Sequence, residues 1–220
     1  MKKIVAVLLV IVALSSVCVF ATNQFLRIEG NGGFFYDYSE DEPYYGTTLG
    51  VSVFTGWENE DFCFSIEGSV NDDGIYANLA YSRYFNNGLF VGGEFDIGMP
   101  VKYKGLNIGA LGLFGVRLDL IGKNWIELGL GLSYSYVKDT DSDQAFSDLS
   151  LCLTIEDFCP ISDSLTMICS STIGDITLLS KVYSDGEWES VTSNVVGFTL
   201  RVSLKYSFPA EGFKPHLKTK

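Results

Sequence analysis

The sequence predicts an all-β protein that folds as an antiparallel, up-and-down transmembrane β-barrel of ten strands, or of eight if two weak strands merge or serve as loops. Three observations support this prediction. Long stretches alternate between apolar residues and small or polar ones, which is typical of strands with one apolar and one polar face. Short turns and longer acidic loops alternate along the chain, and the polar faces are rich in Gly and Ser.

The first residues have the layout of a secretory signal peptide. Lys2 and Lys3 precede an apolar run at 4–12, and residues 19–21 fit a cleavage site. A membrane anchor fits less well because the apolar run is short for a spanning helix, and the residue before Cys18 is bulky for a lipidation site. The predicted division is a signal peptide at 1–21, a barrel at 22–208 and a short tail at 209–220.

The composition is strongly acidic. The chain has 15 Lys and Arg against 27 Asp and Glu, and loss of the signal peptide removes two Lys, which changes the net charge from −12 to −14. Such a charge argues against nucleic acid and against an anionic inner leaflet as partners. No cofactor is predicted, because the Gly-rich stretches lie within strands and lack the Lys of a phosphate-binding loop.

We predict ten strands from the alternating runs and from the turn residues between them. Their ranges are 25–38, 46–57, 62–70, 75–85, 89–98, 105–121, 125–137, 145–157, 164–178 and 195–208. The connections "ENED", "NNG", "GKN" and "CPISD" are short, whereas "SEDEPYY", "NDDG", "MPVKYK", "KDTDSDQ" and "SKVYSDGEWESVTSN" are mostly longer and acidic. Strict alternation of the two classes is what an up-and-down barrel requires, with short turns at one end and long loops at the other.

The two strand faces distinguish a lipid-exposed barrel from a soluble β-sandwich or a lipocalin-like barrel. The outward face of a soluble sandwich is rich in charged residues, but here the polar face carries mainly Gly and Ser, which suit a narrow lumen. The apolar face is rich in Leu, Val, Ile and Phe, and aromatic residues near the strand ends predict interfacial girdles. These aromatic residues include Trp57, Tyr81, Tyr84, Tyr134, Tyr136 and Tyr206.

Isolated charges on the polar face predict a charge network inside the lumen. Its members are Glu94, Asp96, Arg117, Asp119, Glu127, Arg201 and Lys205. Because both signs occur, we expect ion pairs inside, with Arg201 and Lys205 next to acidic members of this set. Glu94 and Asp96 lie two apart on one face, and pairing with the lumen cations is favoured over a carboxylate-based catalytic role.

The last predicted strand, "FTLRVSLKYSF", resembles the C-terminal strand of small outer-membrane β-barrel proteins of double-membraned bacteria. In that family the last strand ends in an aromatic residue and is recognised by the barrel assembly machinery. Phe208 takes this place here, and Val202, Leu204 and Tyr206 occupy the matching alternate positions. The resemblance implies an outer-membrane location, contact with outer-membrane lipid and with the assembly machinery, and periplasmic termini. The tail at 209–220 is a departure, because the family usually ends at the aromatic residue.

The sequence also predicts that the protein is not an enzyme. Several small outer-membrane barrels are enzymes, and those families generally place a catalytic His on or near the barrel strands. This chain has one His, His216, and it lies in the tail beyond the last strand.

Two long loops carry candidate surface contacts. Asp139, Asp141 and Asp143 have the spacing of the first three ligands of a calcium loop, but the turn Gly and the closing Glu are missing. We therefore predict an acidic surface loop there, and no metal site. Trp188, in the last long loop, is an aromatic candidate for contact with an external partner.

Four cysteines follow the signal peptide. They are Cys63, Cys152, Cys159 and Cys169. Cys152 and Cys169 flank one predicted turn, so the sequence leaves two states open: a cross-strand disulfide, and free thiols that pack as small apolar side chains.

The predicted function is that of a non-enzymatic outer-membrane barrel with acidic surface loops, in a structural or surface-interaction role. Two alternatives remain: a narrow channel for small or hydrophobic solutes, and a soluble periplasmic β-barrel binding module. The matching partners are an extracellular ligand or a small solute.

Overall fold

The computed structural model describes residues 23–37, 44–72, 74–100, 105–139, 142, 144–184, 186–191 and 195–208. The predicted signal peptide at 1–21 and the predicted tail at 209–220 lie outside the described residues. Among the residues that the structure describes, no helix has the length and apolarity to cross a membrane.

The described chain forms eleven antiparallel strands. They are β1 (Asn23–Asp37), β2 (Tyr44–Glu58), β3 (Phe62–Asn71), β4 (Gly74–Tyr84), β5 (Leu89–Pro100), β6 (Gly105–Asp119), β7 (Trp125–Asp139), β8 (Ala145–Pro160), β9 (Leu165–Ser184), β10 (Glu187–Val191) and β11 (Val195–Phe208). Strands β1 to β9 pair in chain order, and β11 pairs with both β9 and β1, so ten strands close a barrel. This confirms the predicted all-β, up-and-down barrel and the count of ten instead of eight.

The ninth strand is longer than the sequence predicts. It runs to Ser184 instead of ending at 178, and β10 lies in a segment predicted to be a long loop. Gly186, with φ of 89°, permits a tight connection, after which Trp188 packs across from Tyr183 with ring centroids 5.5 Å apart. The loop prediction was wrong because five residues, three of them polar or acidic, show too little alternation to be recognised as a strand.

The pairing of β8 with β9 is irregular. Register shifts occur between Leu149 and Ser150 and between Leu151 and Leu153, and each places an extra residue in β9. A β-bulge of this kind changes the side on which the following side chains point. The alternation in the sequence therefore fails in the middle of β9, although the strand continues.

The short connections carry local signals that fix the strand register. Asn59 Oδ1 accepts the backbone N–H groups of Asp61 and Phe62 at 2.8 and 2.9 Å, and Ser162 Oγ does the same for Leu165 at 3.1 Å. Gly88, with φ of 81°, closes the turn between β4 and β5. These turns and both barrel termini, Asn23 and Phe208, lie at one end, here called the short-turn end.

The outer surface of the barrel is apolar. Large side chains that a soluble protein would bury stand exposed on every strand of the barrel, for example Leu49 at 72%, Leu130 at 57% and Val202 at 57%. Lumen positions alternate with these along each strand and carry the polar and charged side chains. The structure thus has a hydrocarbon-compatible exterior around a narrow interior, which is the inside–outside arrangement of a membrane barrel.

Candidate functional site in the lumen and at the outer rim

Aromatic side chains fill the half of the lumen next to the short turns, here called the lower lumen. Phe25, Phe90 and Phe158 are buried at 4%, 5% and 7% exposure. The Trp125 and Phe158 rings stack with centroids 4.8 Å apart, and Tyr84 lies 5.8 Å from Phe90. These rings project from strands on several sides of the barrel and meet across its interior, so they narrow the lower lumen.

Glycine makes room for one of these rings. A Cβ atom at Gly115 would meet both the Phe90 ring and the backbone oxygen of Leu128 at distances that no real Cβ adopts. The small residues of the lumen face therefore have a packing role, because they let larger side chains from the neighbouring strands cross the interior.

The best-formed ion pair of the lower lumen joins Arg117 and Glu127. Arg117 donates from Nε and Nη2 to Glu127 Oε1 at 2.9 and 2.6 Å. Trp125 Nε1 and the Tyr84 hydroxyl donate to the same carboxylate at 3.3 and 3.4 Å. The guanidinium also lies 4.3 Å from the Tyr84 ring centroid and 5.1 Å from that of Trp125, so this cation is both ion-paired and stacked.

Two further cations are held in the same way. Arg27 pairs with Glu29 and lies 4.8 Å over the Phe54 ring. Lys205 pairs with Glu58 and lies 4.8 Å over the Phe25 ring. Each of these lower-lumen cations thus sits between a carboxylate and an aromatic ring, which compensates for the loss of water inside the barrel.

The predicted network members have different surroundings. Arg117 meets Glu127, whereas the nearest described carboxylate of Arg201 belongs to Glu29, at 3.9 Å from its Nε. Glu94 accepts a hydrogen bond from Asn78 at 3.3 Å. The carboxylate of Asp96 fills the space beside Gly109 in the adjacent strand. Asp119 lies exposed at the end of β6 and makes no described ion pair.

Several lumen residues are absent from the predicted network. Arg27, Glu29, Glu58 and Glu156 all take part in ion pairs of the lower lumen. Glu58 could have been found by continuing the alternation of Ser52 and Phe54 into the segment read as a turn. The predicted face of Tyr84 was wrong. It was predicted on the apolar face, but its side chain points into the lumen, where the hydroxyl donates to Glu127.

The described residues enclose a cavity in each half of the barrel interior. One, of about 230 Å³, lies among the charged and aromatic side chains of the lower lumen. The other, of about 470 Å³, lies in the half next to the long loops, here called the upper lumen. Its lining is small and acidic, and includes Glu94, Asp96, Asp148, Ser133, Ser135 and Ser150.

The acidic loop after β7 is described only in part. Asp139 accepts a hydrogen bond from Ser142 at 2.6 Å, while Asp141 and Asp143 lie outside the described residues. Across the described residues, no group of three or more His, Cys, Asp or Glu side chains is placed to hold a metal ion.

Among the residues that the structure describes, none of the four cysteines forms a disulfide. Cys169 pairs in register with Asp157, whereas Cys152 lies beside the register shift of β8, five residues away along that strand. Cys152 also lies on the lumen face and Cys169 on the outer face. A Cys152–Cys169 disulfide, one of the two states the sequence left open, does not fit this geometry.

The outer rim carries one strand with a single partner. All five residues of β10 are exposed, and β10 pairs with β9 and with no other described strand. Trp188, predicted as a loop residue, lies on this strand. Its ring contacts Tyr183 and Tyr136, with centroids 5.5 and 6.5 Å away.

The residues of the predicted assembly signal share the outer face of β11. Val202, Leu204, Tyr206 and Phe208 are all exposed to the surroundings of the barrel. Tyr206 and Phe208 meet edge to face, with centroids 4.9 Å apart, at the short-turn end.

Comparison with known proteins gives likenesses of fold only. No protein-family model and no curated protein matches the chain. Neisserial surface protein A matches at 13% identity with a TM-score of 0.40, over 83% of this chain and 97% of that one. Ail of Yersinia pestis matches at 13% and 0.40, over 86% and 100%. OprG of Pseudomonas aeruginosa matches at 9% and 0.43, over 86% and 97%. These values are too low to assign a role, which must come from the geometry of this chain.

Proposed function

We propose that the chain is an outer-membrane β-barrel without enzyme activity, with a lumen closed at the periplasmic end and a role exerted at the outer surface. The observation that carries this proposal is the filling of the lower lumen. The space that a pore would need is occupied by three ion pairs stacked on aromatic rings and by the buried side chains of Phe25, Phe90 and Phe158. A barrel closed in this way offers its loops and its outer rim to partners, because it has no open pore.

The exterior supports the membrane location. A soluble binding module exposes few contiguous apolar patches, whereas this barrel carries an apolar surface on all its strands. A closed barrel satisfies every backbone hydrogen bond between strands, which is the condition for crossing a bilayer with β-structure. With a predicted signal peptide and an even number of barrel strands, the termini and short turns are assigned to the periplasm and the longer loops to the outside.

The absence of enzyme activity rests on the chemistry of the lumen. Glu94 bonds to Asn78, and Glu127 is held by Arg117, so neither carboxylate has the arrangement of a general base beside a nucleophile. The single His of the chain, His216, lies in the segment predicted as a tail.

A narrow channel is the second candidate function. The two lumen cavities, of about 230 and 470 Å³, are the observation that favours it, because Glu94 and Leu111 line both of them and the two spaces therefore adjoin along the lumen. The conductance of the refolded protein in a planar bilayer separates the two candidates.

Cell fractionation and surface proteolysis test the proposed location. After expression in a double-membraned bacterium, we expect the protein in the outer-membrane fraction, with a gel mobility that changes on heating. Protease added to intact cells should cut near the connection between β9 and β10, and leave the short turns intact. Recovery of the protein from detergent-free periplasm would show that the lipid-facing assignment is wrong.

A further inference from the structure

At the outer rim, the sheet continues above the closed part of the barrel. β11 pairs with β9 only as far as Gly197 and Gly174, and beyond that point β10 takes the place of β11 beside β9. The other side of β9 stays paired with β8 up to Tyr183. A short three-stranded sheet of β8, β9 and β10 therefore stands at the rim, and β10 is its edge.

The edge strand has backbone groups that point away from its partner. Ser184 and Glu187 close a hairpin with a two-residue connection, and such a closing pair exchanges both backbone hydrogen bonds. Because the pattern alternates, Glu189 and Val191 also bond to β9. The backbone N–H and C=O groups of Trp188 and Ser190 then point to the open side, where no described strand lies.

The side chains of β10 determine what can pair there. Glu187 and Glu189 are exposed on one face of the strand, and Trp188 lies on the other against Tyr183. A second copy of β10, paired at the same residues in either direction, would place Glu189 against its own counterpart, which is unfavourable. A strand with Lys or Arg at alternate positions would instead set opposite charges beside both glutamates.

We propose that the open edge of β10 binds an extended, basic segment of an external protein, which adds to the rim sheet as a further strand. Backbone hydrogen bonds with Trp188 and Ser190 supply the docking, and Glu187 and Glu189 select the basic partner. The proposal rests on the proposed function insofar as it takes the rim to face outward.

The test uses the full barrel refolded in a zwitterionic detergent and a short peptide of alternating lysine and threonine. Binding is followed by amide chemical shifts and hydrogen exchange. The amides of Trp188 and Ser190 should exchange fast in the free barrel and become protected in the complex, and binding should weaken as salt is added. A peptide with glutamate in place of lysine should bind at least tenfold more weakly.

Two paired controls separate edge pairing from simple charge attraction. Ser190→Pro removes an outward N–H and should weaken binding at least tenfold, whereas Ser190→Ala keeps that N–H and should bind like the wild type. A lysine–threonine peptide methylated on the nitrogens of its docking edge should also fail to bind. If Ser190→Pro also perturbs the amide signals of β9, the methylated peptide decides between edge pairing and charge attraction.

Three results would overturn the edge proposal: protected Trp188 and Ser190 amides in the free barrel, equal binding of the methylated peptide, or equal binding of the glutamate peptide. None of these three results depends on whether the barrel conducts ions. Edge binding together with steady channel openings would overturn the closed-lumen function alone, while a closed lumen without edge binding would overturn this inference alone.

Discussion

Arg117 and Glu127 form a two-point ion pair that joins three strands at the closed end of the lumen. Nε and Nη2 of Arg117 in β6 donate to one carboxylate oxygen of Glu127 in β7. Tyr84, from β4, donates to the same carboxylate and stacks on the guanidinium. Removal of Arg117 therefore leaves the buried Glu127 carboxylate without its cation, with Trp125 and Tyr84 as its remaining hydrogen-bond donors.

We expect Arg117→Met to destabilise the barrel. Glu127 is buried at 5% exposure, and without its cation it would keep an uncompensated charge. The expected loss in unfolding free energy is about 2–4 kcal/mol, measured by urea unfolding in lipid vesicles. Adding Glu127→Gln should recover part of the loss, because the remaining group is then neutral. Arg83→Met, on the outer face, is the control, and an equal loss there would contradict the role of the pair.

The assignment of faces predicts different effects for two arginine substitutions in β7. Leu130→Arg places a charge on the apolar exterior, and should cost about 2–4 kcal/mol in a bilayer. Ser133→Arg points into the upper lumen, where Glu94, Asp96 and Asp148 line the cavity, and should cost much less. The measurement is again unfolding in vesicles. Equal folding defects would mean that the inside and outside are wrongly assigned.

Substitution of the terminal aromatic residue, Phe208, should affect assembly in cells without a matching change in the stability of the folded barrel. Phe208→Ala should lower the amount of folded barrel in the outer membrane of cells, because we expect the assembly machinery to recognise the aromatic side chain at this position. Refolding of the same variant into lipid vesicles should be close to that of the wild type. Phe198→Ala, on the same face of β11 but toward the other end, is the matched control. Equal defects of both variants in cells would count against an assembly signal at Phe208.

The strand register predicts that no disulfide joins Cys152 and Cys169. The two residues lie on opposite faces of the sheet and are not in register, so their sulfur atoms cannot meet without a change in the backbone. Peptide mapping of the purified, non-reduced protein should find no cross-link between them. Detection of that link in most molecules would contradict the register of β8 and β9.

The strand count and the sorting of the connections follow from the sequence, because alternation over ten or more residues carries a strong signal. The same signal fails where a residue is inserted, as in the middle of β9, or where a strand is short, as in β10. Glu58 was missed because it lies just beyond the predicted strand 46–57. Tyr84 lies within the predicted strand 75–85, and because it is three residues from Tyr81 the alternation itself places it on the opposite face.

The partners within the lumen could not be predicted from the sequence. Which carboxylate meets Arg201 or Lys205 depends on the stagger of neighbouring strands and on side chains that reach across the interior. Lys205 meets Glu58, which is 147 residues away in the chain, because β1 lies between their strands and closes the barrel. The aromatic filling of the lower lumen was missed for a different reason. Phe25, Phe90 and Phe158 alternate in step with Arg27, Glu94 and Glu156 along their strands, so the alternation itself places them on the lumen face, and they were missed because apolar residues were assigned to the outside.

The conductance of the refolded protein in a planar bilayer tests the closed lumen most directly. We expect no steady single-channel openings from the wild type, because the buried rings and the stacked ion pairs fill the lower lumen. Removal of two stacked rings, by Trp125→Ala with Phe158→Ala, should produce openings if folding is preserved, as judged by heat-modifiable gel mobility. Steady openings of the wild type at the level of this variant would contradict the closed lumen and favour the narrow channel.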